Sequence, residues 1–399
     1  MKKTSAFIRV NLWLIFLCFS VAAQDFRTVR DGIEYAEMTR QIDNAPVKMN
    51  LLRLDLSKVR LGVVHAMDTA IGLEKTSSIA MRHGAFAAIN GGFFRIDKSI
   101  FEGDAAGILQ IDGKLLSESG SNRTALIVSN DLVPIDISSL NFTKGQNYFT
   151  QINETQIRFE HLESEIKLSI NKQIFDISGI NRERKSEEII VYTPEFNKTT
   201  LTDQNGLEVI VVNGKIKEIL EGKGSTEIPS NGFIVSASGA KREELYKKVK
   251  LKNKASVENN IFYYPTINGE KSKFKSTVQA EDITNGVPQL IKDGKIEITW
   301  QEEKSSKEFV DTKHPRTAVA KLKDGKFLMV TVDGRSEASG GIGLQNLAAI
   351  LLELGAIDAM NLDGGGSTTM FLDGKVVNKP SDKEGERKVG DAILVTPRK

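Results

Sequence analysis

The sequence predicts an α+β fold made mostly of antiparallel sheet, built from hairpins with a few packing helices. Five turns share one pattern, in which Asp or Asn is followed by glycine and lysine between apolar-rich runs, and this is a strong local signal for a hairpin. These turns are Asp112-Gly113-Lys114, Asn213-Gly214-Lys215, Asp293-Gly294-Lys295, Asp324-Gly325-Lys326 and Asp373-Gly374-Lys375.

Helical periodicity is confined to a few segments. In GIGLQNLAAILLELGA the residues Leu344, Leu347, Leu351 and Leu354 recur at helical spacing, and Gly355 follows them. Apolar residues three and four positions apart share one helix face, so this segment predicts a helix packed against the sheet. EKTSSIAMRHG and KREELYKKV predict two further helices.

The first 23 residues have the pattern of a secretory signal. Basic residues precede an apolar run and the small residues Val21-Ala22-Ala23, which predicts cleavage before Gln24. Cys18 offers a lipoprotein alternative, but the bulky Leu17 beside it favours cleavage at Ala23. No other apolar run is long enough to cross a bilayer, so we expect no membrane span in the mature chain. We therefore expect a protein of the periplasm or the extracellular space.

Composition indicates a globular chain without a strongly charged partner. The 54 basic and 52 acidic residues give a formal net charge of +2, so bulk charge points to no nucleic acid or membrane surface. No proline-rich or serine-rich linker divides the chain, which favours one interleaved domain over residues 80–399. Residues 24–79 contribute strands, either as an added lobe or in the same sheet. Polar stretches near 140–175 and 241–280 are interpreted as elaborations or sheet edges.

The stretch NLDGGGSTT, residues 361–369, places three glycines between an aspartate and a serine. Successive glycines can gather backbone N–H groups into a nest that binds anions, and hydroxyl side chains add donors beside it. Phosphate or carboxylate is the expected guest; the alternative is a glycine bulge where two strands cross closely. The candidate binding residues here are Asn361, Gly364, Gly365, Ser367 and Thr368.

Two further glycine clusters follow apolar runs. In VDGRSEASGGIGLQ, Arg335 can hold phosphate, and Gly341 precedes the long helix, whose N-terminus attracts anions. The alternative for Arg335 is a surface ion pair with Glu337. In AAINGGFF, Asn90 offers a donor and an acceptor, while Gly91 and Gly92 let a ligand approach the backbone. The alternative there is a type I′ turn.

Arg316, in KHPRTAVA, stands at the start of an apolar run and is a candidate oxyanion ligand or else a solvated charge. The four histidines show no paired metal-ligand spacing. No nucleophile elbow, phosphate-binding P-loop or HExxH motif occurs, so the acid, base or nucleophile would be a carboxylate. Asp333 and Asp363 end strands inside glycine clusters, and Glu102 is near Asn90 in sequence.

Together these stretches resemble the phosphodiester glycosidase family, the domain of the uncovering enzyme that removes N-acetylglucosamine from a phosphodiester. The similar segments are AAINGGFF, GVPQLIKDGK, PRTAVA, the run from VDGRSEASGG to NLDGGGSTTMF, and GERKVGDAILV. They run in family order from about residue 80 to 396. The resemblance also covers Arg387, which is followed by Lys388 where a proline commonly stands in the family.

The resemblance implies hydrolysis of a sugar-1-phosphate diester, with a phosphorylated glycan as partner. The residues that fall on family motif positions are Asn90, Arg316, Asp333, Arg335, Asn361, Asp363, Ser367, Thr368 and Arg387. A non-catalytic module that binds phosphorylated glycans and a phosphodiesterase that cuts the P–O bond are the rival interpretations. No cofactor is required by the sequence. A divalent cation such as calcium is left open, because aspartates and backbone carbonyls can coordinate it, although no loop has calcium-ligand spacing.

Overall fold

The computed structural model describes residues 25–120, 122–134, 149–151, 154–264, 266–267, 270–271, 273–275 and 280–398. The predicted signal segment with Cys18 lies outside the described residues, as do parts of both polar elaborations. Within the described ranges, no helix combines the length and apolar character needed to cross a membrane.

The strands of the first half of the chain are β1 Arg27–Arg30, β2 Ile33–Ile42, β3 Ala45–Leu54, β4 Val59–His65, β5 Glu74–Lys75, β6 Ala87–Asn90, β7 Leu109–Ile111, β8 Lys114–Ser117, β9 Arg123–Ser129, β10 Leu132–Pro134, β11 Phe149–Gln151, β12 Gln156–Ile170, β13 Gln173–Asp176, β14 Gly179–Ile180 and β15 Ile189–Tyr192. The later strands are β16 Leu207–Val212, β17 Lys215–Glu221, β18 Gly232–Ala237, β19 Ala255–Tyr263, β20 Thr266–Ile267, β21 Glu270–Lys271, β22 Phe274–Lys275, β23 Asp282–Asn285, β24 Gln289–Lys292, β25 Lys295–Ile296, β26 Arg316–Leu322, β27 Phe327–Val332, β28 Ala356–Asn361, β29 Met370–Leu372, β30 Lys375–Val376, β31 Lys388–Val389 and β32 Asp391–Pro397. The α-helices are α1 Thr76–Arg82, α2 Gly239–Tyr246, α3 Lys307–Asp311 and α4 Leu344–Glu353.

Four sheets of the described residues carry the fold. The central sheet has the order β1-β2-β3-β27-β26-β28-β24-β25, and the C-terminal sheet has the order β30-β29-β6-β32-β4. The long-strand sheet is β22-β19-β12-β9-β23-β7-β8 with β13 beside β12, and the insert sheet is β14-β15-β18-β16-β17. Short pairs β10-β11, β20-β21 and β31-β5 complete the pairing. Strands β1 to β3 therefore share a sheet with β24 to β28.

The prediction of mostly antiparallel sheet built from hairpins is confirmed. All five predicted turns connect paired strands, namely β7-β8, β16-β17, β24-β25, β26-β27 and β29-β30. Four of them have positive φ at both central residues, as Asp112 (49°) and Gly113 (75°) illustrate, which is the type I′ geometry. The turn at Asp324 differs, because only Gly325 has a positive φ there, at 85°.

The predicted helices are confirmed with shifted ends, and one was missed. Gly355, at φ 92°, follows α4 and ends the long helix as expected. Helix α3 was not predicted, since five residues show no apolar period. Its one sequence signal is Ser306, whose side chain accepts a hydrogen bond from the N–H of Phe309 and so caps the helix.

The central sheet is buried on both faces. Ala318 and Ala320 of β26 pack in one core with Leu347 of α4, while Val319 packs in another with Ile89 of β6. Successive side chains of a strand point to opposite faces, so β26 contributes to both cores and reads as a continuous apolar run. The helix covers one face of the central sheet and the C-terminal sheet covers the other.

This layering brings several strand ends to one place. Arg316, at the start of β26, lies opposite Val332 at the end of β27, and Ala318 lies opposite Asn361 at the end of β28. In the neighbouring C-terminal sheet, Asn90 ends β6. The hydroxyl of Thr317 donates to the Asn90 side-chain oxygen at 2.8 Å and links the two edges.

Glu303 is a buried carboxylate that joins several segments. It is 0% exposed, and it accepts hydrogen bonds from the N–H of Thr124 at 3.0 Å and the N–H of Gln289 at 2.8 Å. The hydroxyls of Thr124 and Thr299 also donate to it, and the ring of His161 lies 3.2 Å away. The side chain therefore ties the loop before α3 to β9, β12 and β24.

We expect Glu303→Ala to lower the free energy of unfolding by about 3 kcal/mol or more, because two buried backbone N–H groups lose their acceptor. Urea denaturation measures this change. Glu297→Ala, an exposed control, is expected to stay within about 0.5 kcal/mol of the wild type. Equal stability of the two variants would contradict the assigned role.

Candidate active site

Three loops converge where the strand ends meet. The N–H of Gly365 donates to the carbonyl of Pro315 at 2.9 Å. A Cβ added to Gly334 would lie 2.8 Å from the Pro315 nitrogen, and one added to Gly364 would lie 2.7 Å from the Pro315 carbonyl oxygen. The loops after β27 and β28 therefore pack on the residue before β26, and only glycine fits this approach.

Asp363 lies at this junction, two residues after the end of β28. Its carbonyl accepts a hydrogen bond from the Asn90 side-chain amide at 2.7 Å, and its N–H donates to the Gly91 carbonyl at 3.2 Å. Burial raises the pKa of the Asp363 carboxyl to about 6, and the negative charge of Asp391 acts in the same direction. Hydrogen bonds from the Ser367 hydroxyl and the Gly364 N–H oppose the shift, as does the positive charge of Arg387. The carboxyl group therefore titrates close to neutral pH.

Asp391, the first residue of β32, is a second buried carboxyl group that the sequence reasoning missed. It is 2% exposed and accepts hydrogen bonds from the N–H of Gly92 at 2.9 Å and the hydroxyl of Thr284 at 2.7 Å. Burial raises its pKa to about 6. The only sequence signal was its position in GERKVGDAILV, where a charged residue opens an apolar strand.

Gly91 and Gly92 serve this carboxyl group rather than a turn. A Cβ on Gly91 would lie 2.3 Å from Asp391 Oδ2, and a Cβ on Gly92 would lie 2.6 Å from the amide nitrogen of Asn285. Neither Asn90 nor Gly91 has a positive φ, so the type I′ alternative is wrong. The glycines let two buried side chains approach the backbone.

The triple glycine does not form an open nest at Gly364 and Gly365. The N–H of Gly364 donates to the Asp363 carboxylate at 2.9 Å, and that of Gly365 is taken by Pro315. The N–H groups of Ser367 and Thr368 close a tight 3-10 turn by donating to the carbonyls of Gly364 and Gly365. An anion at this turn would be held mainly by side chains.

Two arginines flank the turn and supply such side chains. A Cβ on Gly365 would lie 3.1 Å from Arg335 Nη2, and one on Gly366 would lie 2.2 Å from Arg387 Nη2. Arg387 is oriented by two hydrogen bonds to Asp382, at 2.7 and 3.0 Å. Arg335 is exposed and donates to Ser381, and the described residues place no carboxylate within ion-pair distance of it. The ion pair with Glu337, the alternative to phosphate binding, is therefore not formed.

Polar atoms without a partner surround the turn. The hydroxyl oxygens of Thr368 and Thr369 and the amide oxygen of Asn361 are buried and make no hydrogen bond within the part of the chain that the structure describes. All three residues are at most 1% exposed, and the equally buried Ser367 hydroxyl lies beside the Asp363 carboxyl group. Buried polar groups are normally paired, so this cluster is unusual and is consistent with a binding site.

Arg316 is not a solvated charge, and its Nε and Nη2 donors are taken by backbone carbonyl groups. It is 1% exposed, and its guanidinium donates to the carbonyls of Phe309 at 2.6 Å, Thr312 at 2.9 Å and Ile342 at 3.2 Å. It also stacks on the Phe309 ring. Burial lowers its pKa to about 10. These contacts fix the loop before β26 and the segment before α4.

Asp333 is turned to a neighbouring loop. Its carboxylate accepts hydrogen bonds from the N–H of Lys379 at 3.0 Å and the amide of Asn378 at 3.4 Å. Asn378 in turn donates to the carbonyl of Thr368 at 3.0 Å. Burial raises the pKa of Asp333. The geometry thus gives Asp333 a supporting contact to the glycine turn.

Glu102 and Gly341 lie in other surroundings than the sequence suggested. The Glu102 carboxylate accepts from the N–H of Lys98 at 3.4 Å, within its own loop. Gly341, at φ 83°, packs on the backbone of His314, with an added Cβ 2.8 Å from the carbonyl carbon. Helix α4 begins only at Leu344, with Gly343 as its cap, so Gly341 is not at the helix N-terminus.

Metal binding finds no support in the side-chain geometry. Over the described ranges, no group of three or more His, Cys, Asp or Glu side chains is arranged to hold an ion. The divalent cation left open by the sequence therefore stays untested.

Residues 206–396 match a family model described as phosphodiester glycosidase. The SPbeta prophage-derived protein YomE of Bacillus subtilis is 37% identical over 111 residues, which cover 27% of this chain and 16% of that protein. The N-acetylglucosamine-1-phosphodiester alpha-N-acetylglucosaminidase of Bos taurus is 38% identical over 109 residues, which cover 25% of this chain and 20% of the bovine protein. The chain thus spans a fifth or less of the length of these relatives.

The fold occurs in a protein of known structure. A hypothetical protein from Synechocystis superposes with a TM-score of 0.71 at 20% identity, covering 94% of this chain and 64% of that one. At this identity the likeness shows the fold alone.

The two carboxyl groups give a direct test of the site's electrostatics. We expect Arg387→Gln to raise the pKa of Asp363 above its wild-type value of about 6, and Asp391→Asn to lower it. Carbon-13 NMR titration of the Asp363 carboxyl measures both shifts, with Glu297→Gln as an exposed control. A wild-type Asp363 that titrates near 4 would contradict the assignment.

Proposed function

We propose that this chain, whose residues 206–396 match the phosphodiester glycosidase family model, is a secreted hydrolase that cleaves the glycosidic bond of a sugar-1-phosphate diester. The substrate would be a phosphorylated glycan or a cell-envelope polymer. One observation carries the proposal: the Asp363 carboxyl group directly precedes a glycine turn that two arginine side chains flank and that is followed by buried, unpaired hydroxyl groups.

In this proposal Arg335 and Arg387 bind the phosphodiester. Arginine presents paired donors that match phosphate oxygens, and Arg387 is already oriented by Asp382. Negative charge grows on the phosphate oxygen as the anomeric C–O bond breaks. Fixed cations beside that oxygen stabilise the transition state more than the ground state. A phosphate leaving group is a weak base, so it needs little help from a general acid.

Asp363 would act as the carboxylate at the sugar. An ionised carboxylate beside the anomeric carbon either stabilises an oxocarbenium-like transition state or activates water. Its raised pKa makes it a stronger base than an ordinary aspartate while it is still largely ionised at neutral pH. The hydroxyls of Thr368 and Thr369 would pair with sugar hydroxyls or phosphate oxygens that complete their hydrogen bonds.

The test is incubation of the protein with methyl phosphodiesters of glucose, mannose and N-acetylglucosamine, followed by measurement of free reducing sugar. In oxygen-18 water, glycosidic cleavage labels the sugar, whereas P–O cleavage labels the phosphate. Label on the phosphate would contradict the proposal and indicate a phosphodiesterase that cuts the P–O bond. Tight binding without any product would indicate a non-catalytic module that binds phosphorylated glycans.

We expect Asp363→Asn to lower kcat by about 1,000-fold or more while substrate affinity changes only a few-fold, because the amide cannot ionise. The wild-type rate should rise with pH through about 6, since the active form of Asp363 is the deprotonated one. Kinetic pH profiles measure this limb. A rate that instead falls as the pH rises through 6 would make Asp363 a general acid and contradict its assigned role.

The binding of phosphate by Arg387 is tested by Gly366→Ala, whose Cβ would lie 2.2 Å from Arg387 Nη2 and 2.3 Å from Asp382 Oδ1. Because this ion pair must move, we expect the KM for the diester to rise roughly tenfold, as for a weakened phosphate contact. Gly120→Ala is the matched control, since an added Cβ there meets nothing within 4 Å. An unchanged KM in Gly366→Ala would remove Arg387 from phosphate binding.

A further inference from the structure

A cavity of about 480 Å³ lies beside the segment that leaves the candidate active site. Six charged side chains line it, three cationic and three acidic: Arg95, Arg182, Lys185, Asp104, Glu183 and Glu188. Its net formal charge is zero when all six are ionised. The cavity therefore offers many hydrogen-bonding groups, but its net charge favours neither anionic nor cationic ligands.

One of the segments that line the cavity follows Gly92 along the chain. The N–H of Arg95 donates to the carbonyl of Asp104 at 2.8 Å, and the N–H of Ala106 donates to that of Phe93 at 2.7 Å. Arg95 follows Gly92 by three residues, and an extended chain advances about 3.5 Å per residue, so their Cα atoms are at most about 11 Å apart. This separation is of the order of one or two sugar rings.

The two arginines of the cavity are already neutralised by carboxylates. Arg95 contacts Glu183 at 2.6 Å and also Asp97, while Arg182 contacts Glu118 at 2.6 Å and Glu188 at 2.9 Å. Each of these arginines has two carboxylate partners, whereas Arg387 pairs with Asp382 alone among the described residues. A phosphate at the cavity would therefore meet more negative charge than one at Arg387, so the cavity arginines are rigid planar donors rather than an anion site.

Asp104 is the unsatisfied group in the cavity. Its Oδ1 atom is buried and has no hydrogen-bond partner among the described residues. Burial raises the pKa of its carboxyl to about 7, so protonated and ionised forms coexist near neutral pH. Such a group accepts a hydrogen bond and, when protonated, also donates one, which suits a hydroxyl or amide of a neutral ligand.

We propose that this cavity is a second saccharide subsite, which binds a neutral sugar ring of the substrate next to the bond that is cleaved. Planar arginine and carboxyl groups bind sugar hydroxyls through paired hydrogen bonds, and the unpaired Asp104 oxygen provides the anchor. The placement of this sugar ring next to the cleaved bond rests on the proposed function. The enzyme would then act on an oligosaccharide or polymer rather than on a small diester.

The test uses neutral trisaccharides without phosphate, so that Arg335 and Arg387 at the glycine turn contribute little to binding. Titration calorimetry with triacetylchitotriose and maltotriose would measure binding to the wild type and to Asp363→Asn. Two variants probe the cavity: Ala106→Trp, which fills it from an exposed position, and Asp104→Leu, which removes the anchor. Thr39→Trp, on an exposed strand position in the N-terminal hairpin, is the matched control. Circular dichroism checks that each variant is folded.

We expect at least one trisaccharide to bind the wild type, Asp363→Asn and Thr39→Trp alike, and both cavity variants to lose at least tenfold in affinity. Binding of neither sugar by the folded wild type would overturn the subsite, as would unchanged affinity in folded Ala106→Trp. The diester hydrolysis assay separates the two proposals. Trisaccharide binding that the cavity variants lose, without any hydrolysis, would keep the subsite and refute the glycosidase.

Discussion

The buried amide of Asn90 is the interaction on which the rest of the site depends. Its oxygen accepts hydrogen bonds from the Thr317 hydroxyl at 2.8 Å and the Thr369 N–H at 3.1 Å, while its nitrogen donates to the Asp363 carbonyl at 2.7 Å. One side chain thus joins β6, β26 and both sides of the glycine turn. An aspartate or a leucine at this position could not donate and accept together, so it would break the junction. The 0% exposure of Asn90 makes each of these bonds costly to lose.

The glycines around this amide serve mainly the protein's own packing. Gly91 admits Asp391, Gly92 admits Asn285, and Gly364 admits the carbonyl of Pro315. Polar groups that are pressed together in this way lose water, which is why burial raises the pKa of both Asp363 and Asp391. The glycines therefore allow the close packing that leaves the carboxyl groups of Asp363 and Asp391 desolvated.

Local patterns predicted much of this molecule. The Asp-Gly and Asn-Gly turns fixed hairpin positions because their φ values are set by neighbouring residues alone. Leucine spacing located α4 for the same reason, whereas α3 was too short to show a period. Which strands pair across long sequence distances was not predictable from such patterns. Consequently the sequence suggested Arg316 as an anion ligand, and only the folded chain reveals that it binds carbonyl groups.

Asp391 shows most clearly what local patterns cannot predict, because its role depends on contact with Gly91, three hundred residues earlier in the sequence. The same long-range pairing has a kinetic consequence. Strand β4 pairs with β32 from Val59 opposite Pro397 to His65 opposite Asp391, and β3 pairs with β27. Contacts this distant in sequence slow folding, since the loop entropy must be lost before the pairing stabilises anything. Because β4 and β6 both pair with β32, these pairings form only after β32 has been synthesised, and the same holds for the hydrogen bond from Gly92 to Asp391 beside the proposed site.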